Sequence, residues 1–113
     1  MRAAFIERTG PAREVLQVGE RPDPAPKPGE VLVRVHVSGI NPSDVKTRGG
    51  SSDRPPFAEP VVIHNDGAGE IVAVGDGVDK GRIGERVWLN NTNWVAPMGT
   101  AAELVAVGAE NAE

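Results

Sequence analysis

The chain has 113 residues, 39% of them apolar, with no cysteine and a formal net charge of −4. That length holds one domain. The acidic balance, with no lysine or arginine run, excludes the electrostatic footprint of a nucleic-acid or anionic-membrane binder, and the lack of cysteine excludes disulfides and thiolate-held zinc or iron.

The 14 glycines and 10 prolines punctuate the chain so evenly that only residues 85–96 run twelve positions without either. Repeated helices of about 10–14 residues have almost no room, so short strands joined by turns are expected. No apolar run approaches the roughly 18–20 residues of a membrane span, and the first residues lack the apolar core of a signal peptide. Together with the missing cysteines, this makes a cytoplasmic location the expectation.

In chain order, residues 3–7 form an apolar run ended by Thr9-Gly10-Pro11, a turn signal, and residues 15–18 form a second run. The two are expected to pair as an opening hairpin. Residues 21–29 place a proline at every second position from Pro22 to Pro28, which fixes φ and removes amide donors, so an extended, unpaired connector follows. Residues 30–38 carry the strongest period: Val31, Val33, Val35 and Val37 alternate with Leu32, Arg34, His36 and Ser38, as expected of a strand with one face on a core. Gly39-Ile40-Asn41-Pro42 stops that strand, and Pro42 suits the first turn of a short helix through Val45, Lys46 and Thr47, with Asn41 as N-cap.

Residues 49–60 lack a period and are expected to form a surface loop, and a short apolar run at 61–63 leads into His64-Asn65-Asp66-Gly67-Ala68-Gly69. Residues 70–74 read as a strand, and Gly75-Asp76-Gly77 as a tight turn. Residues 86–89 and 101–107 are two further strand candidates. The polar loop between them, residues 90–99, carries Trp94, which is expected to line a cleft or cover a barrel end. Six or so short strands with one or two helical turns predict a mainly β fold, a partly open barrel.

Several catalytic motifs fail. Gly67-Ala68-Gly69 would place the third glycine of a dinucleotide fingerprint at Val72. That fingerprint also needs a helix after its glycines, whereas a β pattern follows, so these glycines are expected to shape a turn. No phosphate loop, His-Glu-x-x-His or Gly-x-Ser-x-Gly occurs.

One combination holds. Lys27-Pro28-Gly29-Glu30, the strand Val31-Leu32-Val33-Arg34-Val35, Ser38-Gly39-Ile40-Asn41-Pro42-Ser43-Asp44, and Asp66-Gly67-Ala68-Gly69-Glu70-Ile71-Val72-Ala73-Val74-Gly75 follow in that order, then Gly84-Glu85-Arg86-Val87-Trp88 and Gly99-Thr100-Ala101-Ala102-Glu103. This resembles the amino-terminal GroES-like domain of the medium-chain dehydrogenases and reductases, and most of all the zinc-independent quinone oxidoreductases of the zeta-crystallin group. The resemblance implies a GroES-like domain over residues 1–107, with 108–113 a tail or the start of a linker to a Rossmann domain absent from the chain.

The resemblance also implies a reaction, hydride transfer from NADPH to a quinone or enone in a cleft between the two domains. It places Asn41 and Ser43 at the catalytic position, with Lys46, His64 and Trp94 bordering the substrate and cofactor cleft. Asp66, Gly67 and Gly69 fall in structural roles, the aspartate satisfying nearby backbone amides. Helix capping is an equally weighted reading of Asn41 and Ser43. Lys46 departs from the aromatic residue that related enzymes often carry there. Zinc-dependent relatives have cysteine in the slot of Asn41, and histidine then glutamate in the slots of Asn65 and Asp66. Amide oxygens replace soft donors poorly, so no zinc is expected. The chain by itself is expected to be inactive for want of the nucleotide domain, and a homo-oligomer is possible. The competing expectation is a non-catalytic interaction module that pairs through an exposed strand edge at residues 104–107.

Overall fold

The computed structural model describes residues 1–50, 60–92 and 97–113. Seven strands run through it: β1 (Arg2–Ile6), β2 (Gln17–Glu20), β3 (Glu30–Ser38), β4 (Val61–Val62), β5 (Gly67–Val74), β6 (Arg86–Leu89) and β7 (Leu104–Gly108). Two helices, α1 (Ala12–Val15) and α2 (Pro42–Gly49), and two single 3-10 turns complete the described elements. The fold is mainly β, as the punctuation predicts, and its strands form two antiparallel sheets without closing a barrel.

The larger sheet has the order β6-β5-β3-β7. Strand β3 lies at its centre because its alternation presents a continuous apolar face: Val31 and Val33 are wholly buried and pack with Ile71, Val87, Leu89, Val105, Val107 and Ala112. Complete burial of such a side chain stabilises by about 1.5–3 kcal/mol, so this one face outweighs the exposed valine at its end, Val37. The smaller sheet, β2-β1-β4, buries Ala3, Phe5 and Val62.

The opening hairpin differs from the sequence expectation in its connection. Strands β1 and β2 pair antiparallel, but α1 intervenes and takes Val15, which is buried at its end. The Pro11 carbonyl accepts from the N–H groups of Glu14 and Val15, so a proline that cannot extend a strand starts a helical turn instead. The helix after Asn41 runs a full eight residues, to a left-handed Gly50 cap, where a positive φ favours glycine.

The connector at 21–27 carries no regular hydrogen-bonded structure. The final residues are bound to the body. After β7 the chain crosses to the opposite edge of the sheet, where Ala112 bridges Leu89 and the backbone of Glu113 exchanges hydrogen bonds with Trp88. Arg82 clamps this segment, donating to the carbonyls of Ala109 (3.2 Å) and Ala112 (2.8 Å) and to both oxygens of Glu85. The guanidinium holds the Glu85 carboxyl below the usual carboxylate range. Strand β7, the expected free edge, is outermost in its sheet, but its Ala106 N–H meets Met98 Sδ at 3.3 Å.

Candidate functional site at the end of the central strand

Strand β3 ends at Ser38 where β5 begins at Gly67, and the loops beyond these two ends meet. On one side lies the turn into α2; on the other lies the segment 63–66 between β4 and β5. Their approach requires small residues. A Cβ on Gly67 would strike the carbonyl oxygen of Val37, and one on Gly69 that of Arg34. Gly67 and Gly69 therefore do not sit in the turn that their spacing suggested. They open β5, with neither at a left-handed φ, and what the site requires of them is space. Gly39 is confined in the same way by the Asp66 side chain, and Gly99 by the carbonyls of Val62, Ile63 and His64.

Asn41 stands at the N-cap position of α2. Its backbone N–H donates to Asp44 Oδ2 at 2.7 Å, and the Asp44 N–H returns to the Asn41 carbonyl at 3.0 Å. Its side-chain amide reaches across to the other loop, donating from Nδ2 to Asp66 Oδ2 at 3.1 Å. The Asp66 side chain thus meets another side chain, while the Asp66 carbonyl is what receives backbone: it accepts from Gly39 N–H at 2.9 Å.

That carbonyl also accepts from Thr100 Oγ1 at 2.7 Å. Thr100 has no exposed surface, and its hydroxyl lies 2.9 Å from Ser38 Oγ. Ser38 Oγ in turn lies 2.7 Å from His64 Nδ1. His64 is half-buried at φ 72, a left-handed conformation that few residues other than glycine adopt and that histidine, like asparagine and aspartate, adopts more readily than most. Thr92, also buried, donates from its backbone N–H to the carbonyl of Asn65 at 3.0 Å. Five side chains from three separate stretches therefore form one polar cluster: Ser38, Asn41, His64, Asp66 and Thr100.

Of the residues singled out by sequence, the structure brings together Asn41, His64, Asp66, Gly67 and Gly69. Ser43 and Lys46 are exposed along α2, Ser43 in its first turn and Lys46 one turn further on. Trp94 and most of the loop expected at 49–60 lie outside the described residues. Ser38 and Thr100 were not singled out. Ser38 read as the last position of an alternating strand and Thr100 as part of the motif at 99–103, and neither carried a local sign of a site role, since the two meet across 62 residues. Among the described residues no group of three or more histidine, cysteine, aspartate or glutamate side chains is arranged to hold a metal, and no helix is long and apolar enough to cross a membrane.

With the geometry established, similarity to known proteins becomes informative. Residues 27–112 match the alcohol dehydrogenase GroES-like domain. The synaptic vesicle membrane protein VAT-1 homolog of Rattus norvegicus is 46% identical over 69 residues, 60% of this chain and 17% of that protein. The quinone oxidoreductase of Rattus norvegicus is 42% identical over 69 residues, 61% of this chain and 21% of that protein. In three dimensions, the crystal structure of Escherichia coli quinone oxidoreductase complexed with NADPH superimposes with a TM-score of 0.86 at 26% identity. It covers 100% of this chain, which corresponds to 32% of that one. A human VAT-1 homolog-like protein gives a TM-score of 0.86 at 32% identity, again over 100% of this chain and 34% of that one. The chain thus spans about a fifth of those curated relatives and about a third of those solved structures.

Proposed function

Because the chain belongs to the alcohol dehydrogenase GroES-like domain family, we propose that it forms the substrate side of a hydride-transfer cleft for a quinone or related enone. On this reading NADPH is carried by a separate nucleotide-binding domain and zinc takes no part. The observation that carries it is the bond from Asn41 Nδ2 to Asp66 Oδ2, in the slot where zinc-dependent relatives place a cysteine.

The chemistry follows from the hydrogen count. A carboxamide nitrogen bears two hydrogens. Asp66 takes one, which fixes the plane of the amide and assigns its nitrogen and oxygen; the other is a neutral, pre-oriented donor. Hydride transfer to a quinone or enone builds negative charge on the carbonyl oxygen, and a donor already in place stabilises that charge without reorganisation. Ser43 and Lys46, exposed on the same helix, border the substrate in this reading and add a hydroxyl and a cation.

The described residues do not fit the nucleotide portion of NADPH. Its pyrophosphate needs a glycine-rich turn opening into a helix, whereas Gly67 and Gly69 lie inside a strand. When bound on another domain, NADPH supplies the hydride; this chain's residues orient the acceptor. The donor set also fits zinc poorly, because an amide, a carboxylate engaged with that amide and one histidine engaged with Ser38 lack the soft ligands of a closed tetrahedral site.

Amide chemical-shift mapping of the ¹⁵N-labelled chain against a water-soluble para-quinone tests the proposal. Shifts that saturate and cluster at Asn41, Ser43, Lys46 and His64 are expected. Shifts confined to other surfaces, or none at millimolar quinone, would overturn it.

A further inference from the structure

The cluster contains more contacts than freely assignable protons, and that shortage determines the state of the histidine. Four groups lie in a row: the Asp66 carbonyl, Thr100 Oγ1, Ser38 Oγ and His64 Nδ1, separated by 2.7, 2.9 and 2.7 Å. A carbonyl oxygen only accepts, and each hydroxyl has one hydrogen to give. The Thr100 hydrogen is therefore committed to Asp66. The 2.9 Å contact between Thr100 and Ser38 then holds a hydrogen only if Ser38 supplies it. With its own hydrogen committed to Thr100, Ser38 Oγ faces His64 Nδ1 as an acceptor, so Nδ1 must bear hydrogen.

We propose that Ser38 and Thr100 are positioning residues that hold neutral His64 as its Nδ1–H tautomer, leaving Nε2 an acceptor and never a donor. In the opposite tautomer, Ser38 would have to donate to Nδ1. The two hydroxyl oxygens would then face each other at 2.9 Å with no hydrogen between them, one of them on a fully buried threonine. The left-handed backbone of His64 and the approach of Gly99 to the His64 carbonyl set the ring's origin, and the hydroxyl row sets its protonation.

The tautomer follows from hydrogen counting alone; its meaning for a ligand rests on the function proposed above. A quinone or enone carbonyl offers only acceptors. Neutral His64 in this tautomer cannot donate to it through Nε2, and the donor role falls to the second hydrogen of Asn41. A ligand group that meets Nε2 has to carry hydrogen, as the hydroxyl of a hydroquinone product or a carboxamide N–H does. His64 thus discriminates between oxidised substrate and reduced product by hydrogen-bond polarity.

Long-range ¹H–¹⁵N correlation spectra of the ligand-free, histidine-labelled chain at pH 8 test this directly, with His36→Gln assigning the two rings. The expected result is a protonated, pyrrole-type Nδ1 and an unprotonated, pyridine-type Nε2 for His64. A ring protonated at Nε2 in the wild-type chain would overturn the proposal, whatever becomes of the quinone experiment. Thr100→Val then frees the Ser38 hydrogen for Nδ1 and should move the tautomer ratio toward Nε2–H by roughly fivefold or more, the worth of one net hydrogen bond. Thr100→Ser should restore it. If the valine variant folds and its ratio stays at the wild-type value, the hydroxyl row is not the cause and the proposal fails. If that variant does not fold, Ser38→Ala provides the same shift by removing the acceptor from Nδ1, and an unchanged ratio there refutes the proposal equally.

Discussion

Asn41→Asp isolates the contact on which the candidate site depends. Asparagine and aspartate are nearly equal N-caps, so the end of α2 changes little, and a carboxylate near a helix N-terminus is itself favourable by about 0.3–1 kcal/mol. What changes is the partner of Asp66. A hydrogen bond of 3.1 Å becomes two carboxylates at that separation. Repulsion between unit charges about 4 Å apart is about 1 kcal/mol in water and about 4 kcal/mol at an effective dielectric of 20. Asn41 and Asp66 are both half-buried, between those limits. With the lost hydrogen bond of about 1 kcal/mol added and the helix effect subtracted, the variant should lose roughly 2–3 kcal/mol at pH 7.

The loss has a sign in pH. Two facing carboxylates favour sharing a proton in the folded state, so the folded variant binds more protons than the unfolded chain. Its deficit is therefore largest at neutral pH and shrinks as pH falls toward 4. Urea unfolding of wild type and variant at pH 7 and pH 4.5 measures both values. Asn41→Ala, which removes the amide without adding charge, should show a deficit that varies far less between the two. An Asn41→Asp deficit of equal size at both pH values, or none at pH 7, would refute the geometry assigned to this pair.

Three other outcomes follow. Leu89→Ala, at a wholly buried position of the main core, should cost about 2–5 kcal/mol in urea unfolding. Gly99→Ala should cost about 1–3 kcal/mol, because the added methyl meets the carbonyls of Val62, Ile63 and His64; the loss should come with shifted His64 and Thr100 amide resonances. Glu85 is held below its ordinary range by Arg82. Its stabilising effect is present above the unfolded-state value near 4.5 and fades as pH falls through the lower folded value. Arg82→Ala should abolish that increment and raise amide exchange at Ala112 and Glu113, the segment whose carbonyls it clamps.

Much of the fold was legible because it rests on local, periodic signals. Strand β3 appeared at its own bounds from four alternating valines, and Pro42 after Asn41 announced α2. The joint order of the motifs pointed to the family. The parts that were not legible depend on distant partners. Gly67 and Gly69 read as turn glycines because a local pattern cannot show that carbonyls of β3 pass close by. The helical turn α1 was hidden because Ala12-Arg13-Glu14 is too short to show a period, and its last residue, Val15, also opens the apolar run that suited a strand. Thr100 reads as an ordinary residue after a glycine, and only the return of its loop under Asp66 makes it the buried end of a hydroxyl row. The site was thus visible at the α2 cap and in residues 64–69, and invisible where Ser38 at the end of β3 and Thr100 before β7 complete it.

The proposed function divides the labour, with the substrate on this chain and the cofactor on another domain. Titration of the 113-residue chain with NADPH, followed by the fluorescence of Trp88 and Trp94, tests it most directly. No saturable change is expected up to millimolar NADPH, under conditions where quinone still perturbs the Asn41 and His64 resonances. Saturable binding at micromolar NADPH would contradict it.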